Sequence, residues 1–294
     1  MRALLTAILL PALVGCSGNQ LLYRNADWLI EQWADRLLDL TTEQKADWRN
    51  HLDPALTRHR EVEVPRLAGF FQDVEQHARH ELPEPVVECL VAQLDGLVRS
   101  HARLAVEIAV PLLTDLTAEQ VAGLAENLEE RNGEYREEYL QGDIEQRTAE
   151  RAHRVLERIE LWSGPLNADQ RSMVEQASRE MPDLAGSWLE YRRERQAQLL
   201  RLLQSGAGAE ALHRFLDGWW VERADRPLSL VDATDAVQRS TVTLLSRLDG
   251  TLSRAQRREL VARIARVRTD LEVLSGNAPV PEPLCSQTAD LARQ

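Results

Sequence analysis

The amino-acid sequence predicts an all-α protein: an elongated multi-helix bundle of antiparallel helix pairs, with long helices kinked by proline. Three observations lead there. Leu, Ala, Glu, Arg and Gln dominate a chain with only 14 Gly and 12 Pro in 294 residues, which is the chemistry of helix formers. Apolar residues recur at steps of three and four along most of its length, the spacing of one helix face. Four short segments share the form of a capped helix start. Hydrophobic residues at 44% beside charged residues at 28% can supply a core, and no sustained two-residue alternation marks a strand.

The chain begins with Met1-Arg2, an apolar run from Ala3 to Leu10, then Pro11 to Gly15 and Cys16. One cation before about ten apolar residues is the layout of a secretory leader. At about 1.5 Å per residue the run is too short to cross a hydrocarbon core of about 30 Å. Leu13-Val14-Gly15-Cys16 resembles the bacterial lipobox. That resemblance implies cleavage before Cys16 and a diacylglycerol on its sulfur, with each buried methylene contributing about 0.8 kcal/mol to anchoring. The alternative is an ordinary leader with an incidental cysteine. Ser17 after the cysteine resembles lipoproteins sorted to the outer membrane, so the expected address is that membrane, facing the periplasm. The expected organisation is a signal peptide at 1–15, a lipidated tether at 16–24, a helical domain at 25–275 and a Pro-containing tail at 276–294. Leu21, Leu22 and Tyr23 fall where they can rest on headgroups or pack on the first helix.

Leu29, Trp33 and Leu37 form one face of a first helix beginning near Asn25. Asp53-Pro54 reads as an N-cap followed by proline at the first helical position. The helix opened there is expected to bend or break at Pro65. After Pro83 and Pro85 runs the clearest stripe: Val86, Leu90, Leu94, Leu97, Leu104, Ile108 and Leu112, with His101 on the same face. Ser205-Gly206-Ala207-Gly208 reads as a linker. Near the end, Leu260, Ile264, Val267, Leu271 and Leu274 step by four and three. The helix before them ends at Leu248, with Gly250 placed as a left-handed cap of an antiparallel hairpin.

The recurring helix starts are Leu40-Thr41-Thr42-Glu43-Gln44, Leu116-Thr117-Ala118-Glu119-Gln120, Leu166-Asn167-Ala168-Asp169-Gln170 and Leu252-Ser253-Arg254-Ala255-Gln256. Each places an N-cap side chain three residues before a glutamine, the spacing of a capping box. The leading Leu has a stapling partner only in the second segment, Val121; in the others it must pack elsewhere. Glutamine spacings of 76, 50 and 86 residues are too uneven for a solenoid.

The Leu-Thr-x-x-Gln form resembles the signature of the Spy/CpxP-type periplasmic chaperones, small helical dimers whose concave surface holds unfolded clients. This chain departs from them in being about twice as long, acidic, lipidated and provided with four elements. A longer pattern is similar to a family of uncharacterised proteobacterial lipoproteins. It comprises Trp28, Asp39 to Gln44, Arg60 to Pro65, Leu166 to Gln170, Pro182 to Trp188, and Arg192-Arg193. These resemblances imply a client-binding, chaperone-like scaffold with unfolded or envelope proteins as partners; the alternative is an adaptor docking one envelope protein.

A net charge of −12 argues against nucleic acid, whose binding is driven by neutralising phosphates. Nine acids lie between Glu126 and Glu150, and six arginines between Arg254 and Arg268. These are solvated helix faces, or surfaces that dock together or on charged partners. Tyr135 and Tyr139 in the acidic stretch offer contact area to an extended peptide, whereas Trp219-Trp220 reads as core packing. With Cys16 used by lipid, Cys89 and Cys285 are a candidate disulfide for an oxidising compartment; the alternative is a buried and a loose thiol. Closing so long a loop stabilises by about 5 kcal/mol in the chain-entropy model. His77 and His80 fall three apart without an evident third ligand, and no nucleophile or phosphate-loop pattern stands out. The expectation is a protein that is not an enzyme, with no metal and no cofactor.

Overall fold

The computed structural model describes Tyr23 and residues 25–276, 278–282 and 284–285. The leader at 1–15 and Cys16 lie outside the described residues. Among those described, the chain is helical throughout and contains no strand, so the protein is all-α. The helices are α1 (Ala26–Leu38), α2 (Thr42–Arg58), α3 (Val64–Ala78), α4 (Glu84–Thr114), α5 (Ala118–Tyr139) and α6 (Ile144–Ser163). They are followed by α7 (Ala168–Glu180), α8 (Ala185–Gln204), α9 (Ala209–Leu216), α10 (Leu228–Asp249) and α11 (Arg254–Leu274). Two π-helical turns, His59–Glu63 and Asp217–Val221, join α2 to α3 and extend α9.

The chain forms two compact units, each assembled from separated segments. Of the described residues, the first takes those up to Val64, Leu97–Glu138 and Trp188–Arg226; the second takes Pro65–Gly96, Tyr139–Ser187 and those from Pro227 onward.

In the first unit Ala34 and Leu38 of α1, Trp48 and Leu52 of α2, Val106 and Val110 of α4, and Leu212 and Leu216 of α9 share one core. Trp33 and Leu37 pack against it, while Leu29 of the expected face is exposed. The Trp48 indole N–H donates to the Ile108 carbonyl at 2.7 Å, which gives the ring a polar partner inside the core. Trp48→Phe keeps most of the volume and removes that hydrogen bond, while the carbonyl keeps its place in the α4 ladder. The expected loss is about 1 kcal/mol, read as a lowered thermal midpoint.

Pro54 does not open a helix. It lies inside α2, which starts twelve residues earlier. A proline in a helix interior costs about 3 kcal/mol. Burial of Trp48 and Leu52, each contributing about 2–3 kcal/mol, holds the helix on the core through that position. Pro65 does not break the helix either. Just before it the Val64 N–H reaches back five residues to the His59 carbonyl, and this π turn absorbs the proline without ending the helix. The stripe along α4 is buried as expected except at Leu94, which is exposed, and Ile108, which is half-buried.

Ser205 to Gly208 is a tight turn within the first unit rather than a linker. Ala207 N–H donates to the Leu202 carbonyl and Gly206 N–H to that of Leu203, with Gly206 at φ +68°, so α8 closes in a Schellman motif. Both Trp219 and Trp220 pack against the first unit's core, their ring centroids 6.1 Å apart.

In the second unit Leu156 of α6, Val174 of α7, and Leu244 and Leu248 of α10 form one cluster. The expected α10–α11 hairpin is replaced by a different pairing: α11 packs chiefly on α6, and α10 on α7. Gly250 is not left-handed. It has φ −63° and ψ −15°, because the turn is closed by Thr251 N–H on the Leu248 carbonyl and Leu252 N–H on that of Asp249. Neither bond needs a positive φ.

Candidate functional site

All four helix starts carry complete capping boxes. Thr41, Thr117, Asn167 and Ser253 each accept the backbone N–H of the glutamine three residues on. The Oε1 of Gln44, Gln120, Gln170 and Gln256 accepts the N-cap residue's own N–H at 2.9–3.0 Å in return. Three of the four leading leucines anchor their boxes from beneath, while Leu252 is half-buried. Leu40 is buried in the first core with Leu116 packed on it, and Leu166 is buried in the second unit's cluster.

The boxes meet in pairs. In the first unit Gln44 and Gln120 face each other, each Nε2 donating to the other's Oε1 at 3.0 and 2.7 Å. The remaining Nε2 hydrogen of Gln44 goes to the Asp115 carbonyl at 2.7 Å, and that of Gln120 to the Asp39 carbonyl at 2.8 Å. Each target carbonyl lies two residues before the partner's N-cap. A primary amide offers two donors and two acceptor positions, and here all four are used on both residues.

The second unit repeats the arrangement. Gln170 and Gln256 exchange bonds at 3.2 and 2.9 Å. Gln170 Nε2 also donates to the Thr251 carbonyl at 3.0 Å, and Gln256 Nε2 to the Pro165 carbonyl at 2.9 Å. Again the carbonyls stand two residues before the partner's N-cap. Gln170 is only 1% exposed, so its bonds form in a nearly dry site. The cyclic amide pair requires glutamine at both positions, since a carboxylate has no donor to return. It fixes two helix N-termini against each other and offers no group suited to nucleophilic or acid–base work.

Asp143 and Gln146 at the start of α6 form a fifth box. Its Asp-x-x-Gln spacing was readable in the sequence, but the box is exposed and, among the described residues, no second glutamine is bonded to Gln146. Pairing, not the box itself, separates the four Leu-led elements from ordinary caps.

Cys89 and Cys285 are joined, with Cα atoms 5.8 Å apart, and the bridge fixes the C-terminal segment to the second unit. His77 and His80 do not share a helix face, because α3 ends at Ala78. Instead His77 Nε2 faces Asp73 Oδ1 at 3.2 Å, and no cluster of three metal-ligating side chains occurs among the described residues. His101 is buried and holds the Leu97 carbonyl through Nδ1 at 2.7 Å.

The ring of His101 stands edge-on to His59, whose Nδ1 is 2.8 Å from the Tyr23 hydroxyl. Tyr23 thus packs on the π turn after α2. Burial, and secondarily His101, push His59 down to about 3 from 6.5. The folded state therefore keeps this ring neutral while the unfolded chain protonates it near 6.5. Its contribution is fully present above that pH and falls by about 1.4 kcal/mol per pH unit below it, down to the folded value. At pH 5 the loss is about 2 kcal/mol, and His59→Gln should flatten that part of a stability–pH profile measured by urea unfolding.

Four of the six arginines of α11 pair within their own unit. Arg263 and Arg266 meet Glu259, Arg268 bridges Glu75 and Glu272, and Arg257 grips Asp249. In the acidic stretch, Glu129 meets Arg136 and Arg193. The two tyrosines are not an open platform: Arg192 lies over Tyr135 and Arg154 over Tyr139.

Fold and site together define an all-α protein, four of whose helix starts are locked in two amide pairs. The chain belongs to the family of unknown function DUF6279, whose model matches residues 36–217. The match takes in the first three Leu-led boxes and the exposed one at Asp143, and ends before Ser253. No curated protein and no solved structure matches the chain.

Proposed function

We propose that this protein is a lipid-anchored envelope protein of the bacterial outer membrane, facing the periplasm, whose helical scaffold binds unfolded or envelope proteins in the manner of a chaperone. The observation that carries the reading is the reciprocal pairing of Gln44 with Gln120 and of Gln170 with Gln256. It makes the motif shared with the Spy/CpxP-type chaperones a structural device in this chain instead of four unrelated caps. A polypeptide about twice the length of those chaperones carries two such pairs. The tether supports the address: nine residues from Cys16 to Asn25 span at most about 30 Å, which holds the helical body near headgroups.

Two measurements test the reading separately. Mass spectrometry of the mature product should find an acylated Cys16 and no residues 1–15; an unmodified cysteine or a retained leader removes the address. The purified non-lipidated mature chain should slow aggregation of an unfolded model protein at near-stoichiometric amounts. No effect across a range of salt concentrations removes the client-binding role. Crosslinking in cells that returns one dominant folded partner, instead of many clients, replaces it with an adaptor.

A further inference from the structure

In the second unit a groove between α3 and α4 is filled by the chain's own C-terminal segment. Phe70 and Val74 of α3 and Val86 and Leu90 of α4 surround Cys285, which is fully buried. Val280 and Pro281 lie over Gly69, where an added Cβ would stand 3.2 Å from the Pro281 carbonyl oxygen and 3.5 Å from Val280 Cγ1. The absent side chain is what lets the segment approach. The backbone N–H groups of Leu284 and Cys285 both donate to Asp73 Oδ2, at 3.0 and 2.9 Å. Asp73 is 0% exposed, so a buried carboxylate takes backbone donors from the tail as its partners.

Nothing in this mode of holding is peculiar to the tail. Two backbone N–H groups, a proline and small apolar side chains are what an unfolded polypeptide also presents. We propose that the groove is a binding site for an extended apolar peptide, occupied in cis by the tail, and that the Cys89–Cys285 bridge sets its occupant. With the bridge intact the tail fills it; with the bridge reduced by a dithiol it opens to a peptide from another chain. A thiolate of the dithiol attacks the sulfur of Cys89, the half-exposed partner, and Cys285 leaves as a thiolate that takes up a proton. The second thiolate of the dithiol then displaces Cys89, which is protonated in turn, and the dithiol departs as its disulfide with two electrons transferred. This inference rests on the client-binding reading only for the source of the peptide.

The test uses the mature chain and a fluorescent synthetic peptide with the sequence of residues 278–285, ending in serine in place of cysteine. Fluorescence anisotropy compares the oxidised wild-type chain, the same chain reduced, and Cys285→Ser. The freed tail competes at a millimolar effective concentration, so the titration runs into that range. Saturable binding is expected for the reduced chain and Cys285→Ser, at least about tenfold tighter than for the oxidised chain. Gly69→Leu in the Cys285→Ser background should abolish it while helicity is retained. Absence of saturable binding to both open forms overturns the proposal, as does equal binding to the oxidised chain or to the Gly69→Leu variant. Peptide binding without any effect on aggregation upholds the groove and removes the chaperone reading.

Discussion

Replacing Gln44 by alanine is expected to cost about 4 kcal/mol of stability, several times the cost of losing an ordinary cap. The capping box alone contributes about 1 kcal/mol. The rest comes from what the substitution strands. The Thr41 N–H, the Asp115 carbonyl, and one donor and one acceptor position of Gln120 all lose their partner. Each buried polar group left unpaired costs about 1–3 kcal/mol, and Gln44 and Gln120 are both buried. Gln44→Glu should be no milder at neutral pH. It keeps an acceptor for the Thr41 N–H but turns a second oxygen toward the Asp115 carbonyl and Gln120 Oε1.

The exposed box at Asp143 is the internal control, and Gln146→Ala should cost no more than about 1 kcal/mol. Urea denaturation reads both. Equal, small losses at positions 44 and 146 would show that the amide pair adds nothing to the caps. The double replacement of Gln44 and Gln120 by leucine should cost clearly less than the sum of the single ones, since the second removes groups the first has already orphaned.

What could be read from the sequence follows from how far apart the interacting groups lie. The boxes are contacts between residues three apart, so Thr41 with Gln44 or Ser253 with Gln256 is legible in a five-residue window. Their pairing joins glutamines 76 and 86 residues apart, and no local pattern encodes it. The apolar stripe of α4 was legible because burial repeats with the helical turn, and its departures are the exposed Leu94 and the half-buried Ile108. Proline misled the reading at Pro54, where the local preference against helix is real but tertiary burial outweighs it. At Pro65 the α-helical ladder does give way, to a π turn, and the chain stays helical. Gly250 misled it oppositely: glycine permits a left-handed cap, yet the turn closes with ordinary dihedrals. The charge runs were legible as runs only, because partners such as Glu75 for Arg268 come from 193 residues away.

The second large effect concerns one of those arginines. Arg257 reads in sequence as one cation of a solvated face, but it is the hub of the second unit's polar interior. Its Nη1 and Nη2 each lie 3.1 Å from a different oxygen of the Asp249 carboxylate, and Nη2 also donates to the Asp249 carbonyl at 2.9 Å. Nη1 further donates to the carbonyls of Ala78 and His80, where α3 has just ended. Asp249 is 4% exposed and takes the Leu82 N–H at 2.9 Å, so one ion pair ties the α10–α11 turn to the α3–α4 connection. Arg257→Ala leaves this carboxylate buried with a single neutral donor and leaves two carbonyls without theirs. Removing one partner of a buried pair costs about 3–5 kcal/mol, and that loss is expected in urea unfolding. Asp249→Asn should cost less, since the amide still accepts the Leu82 N–H and one guanidinium bond. The pair Arg257→Met with Asp249→Leu should recover part of the single loss, because no unpaired charge remains inside. If Arg257→Ala behaves like the replacement of an exposed arginine such as Arg266, with a change within about 0.5 kcal/mol, the interior pairing assigned to Arg257 is wrong.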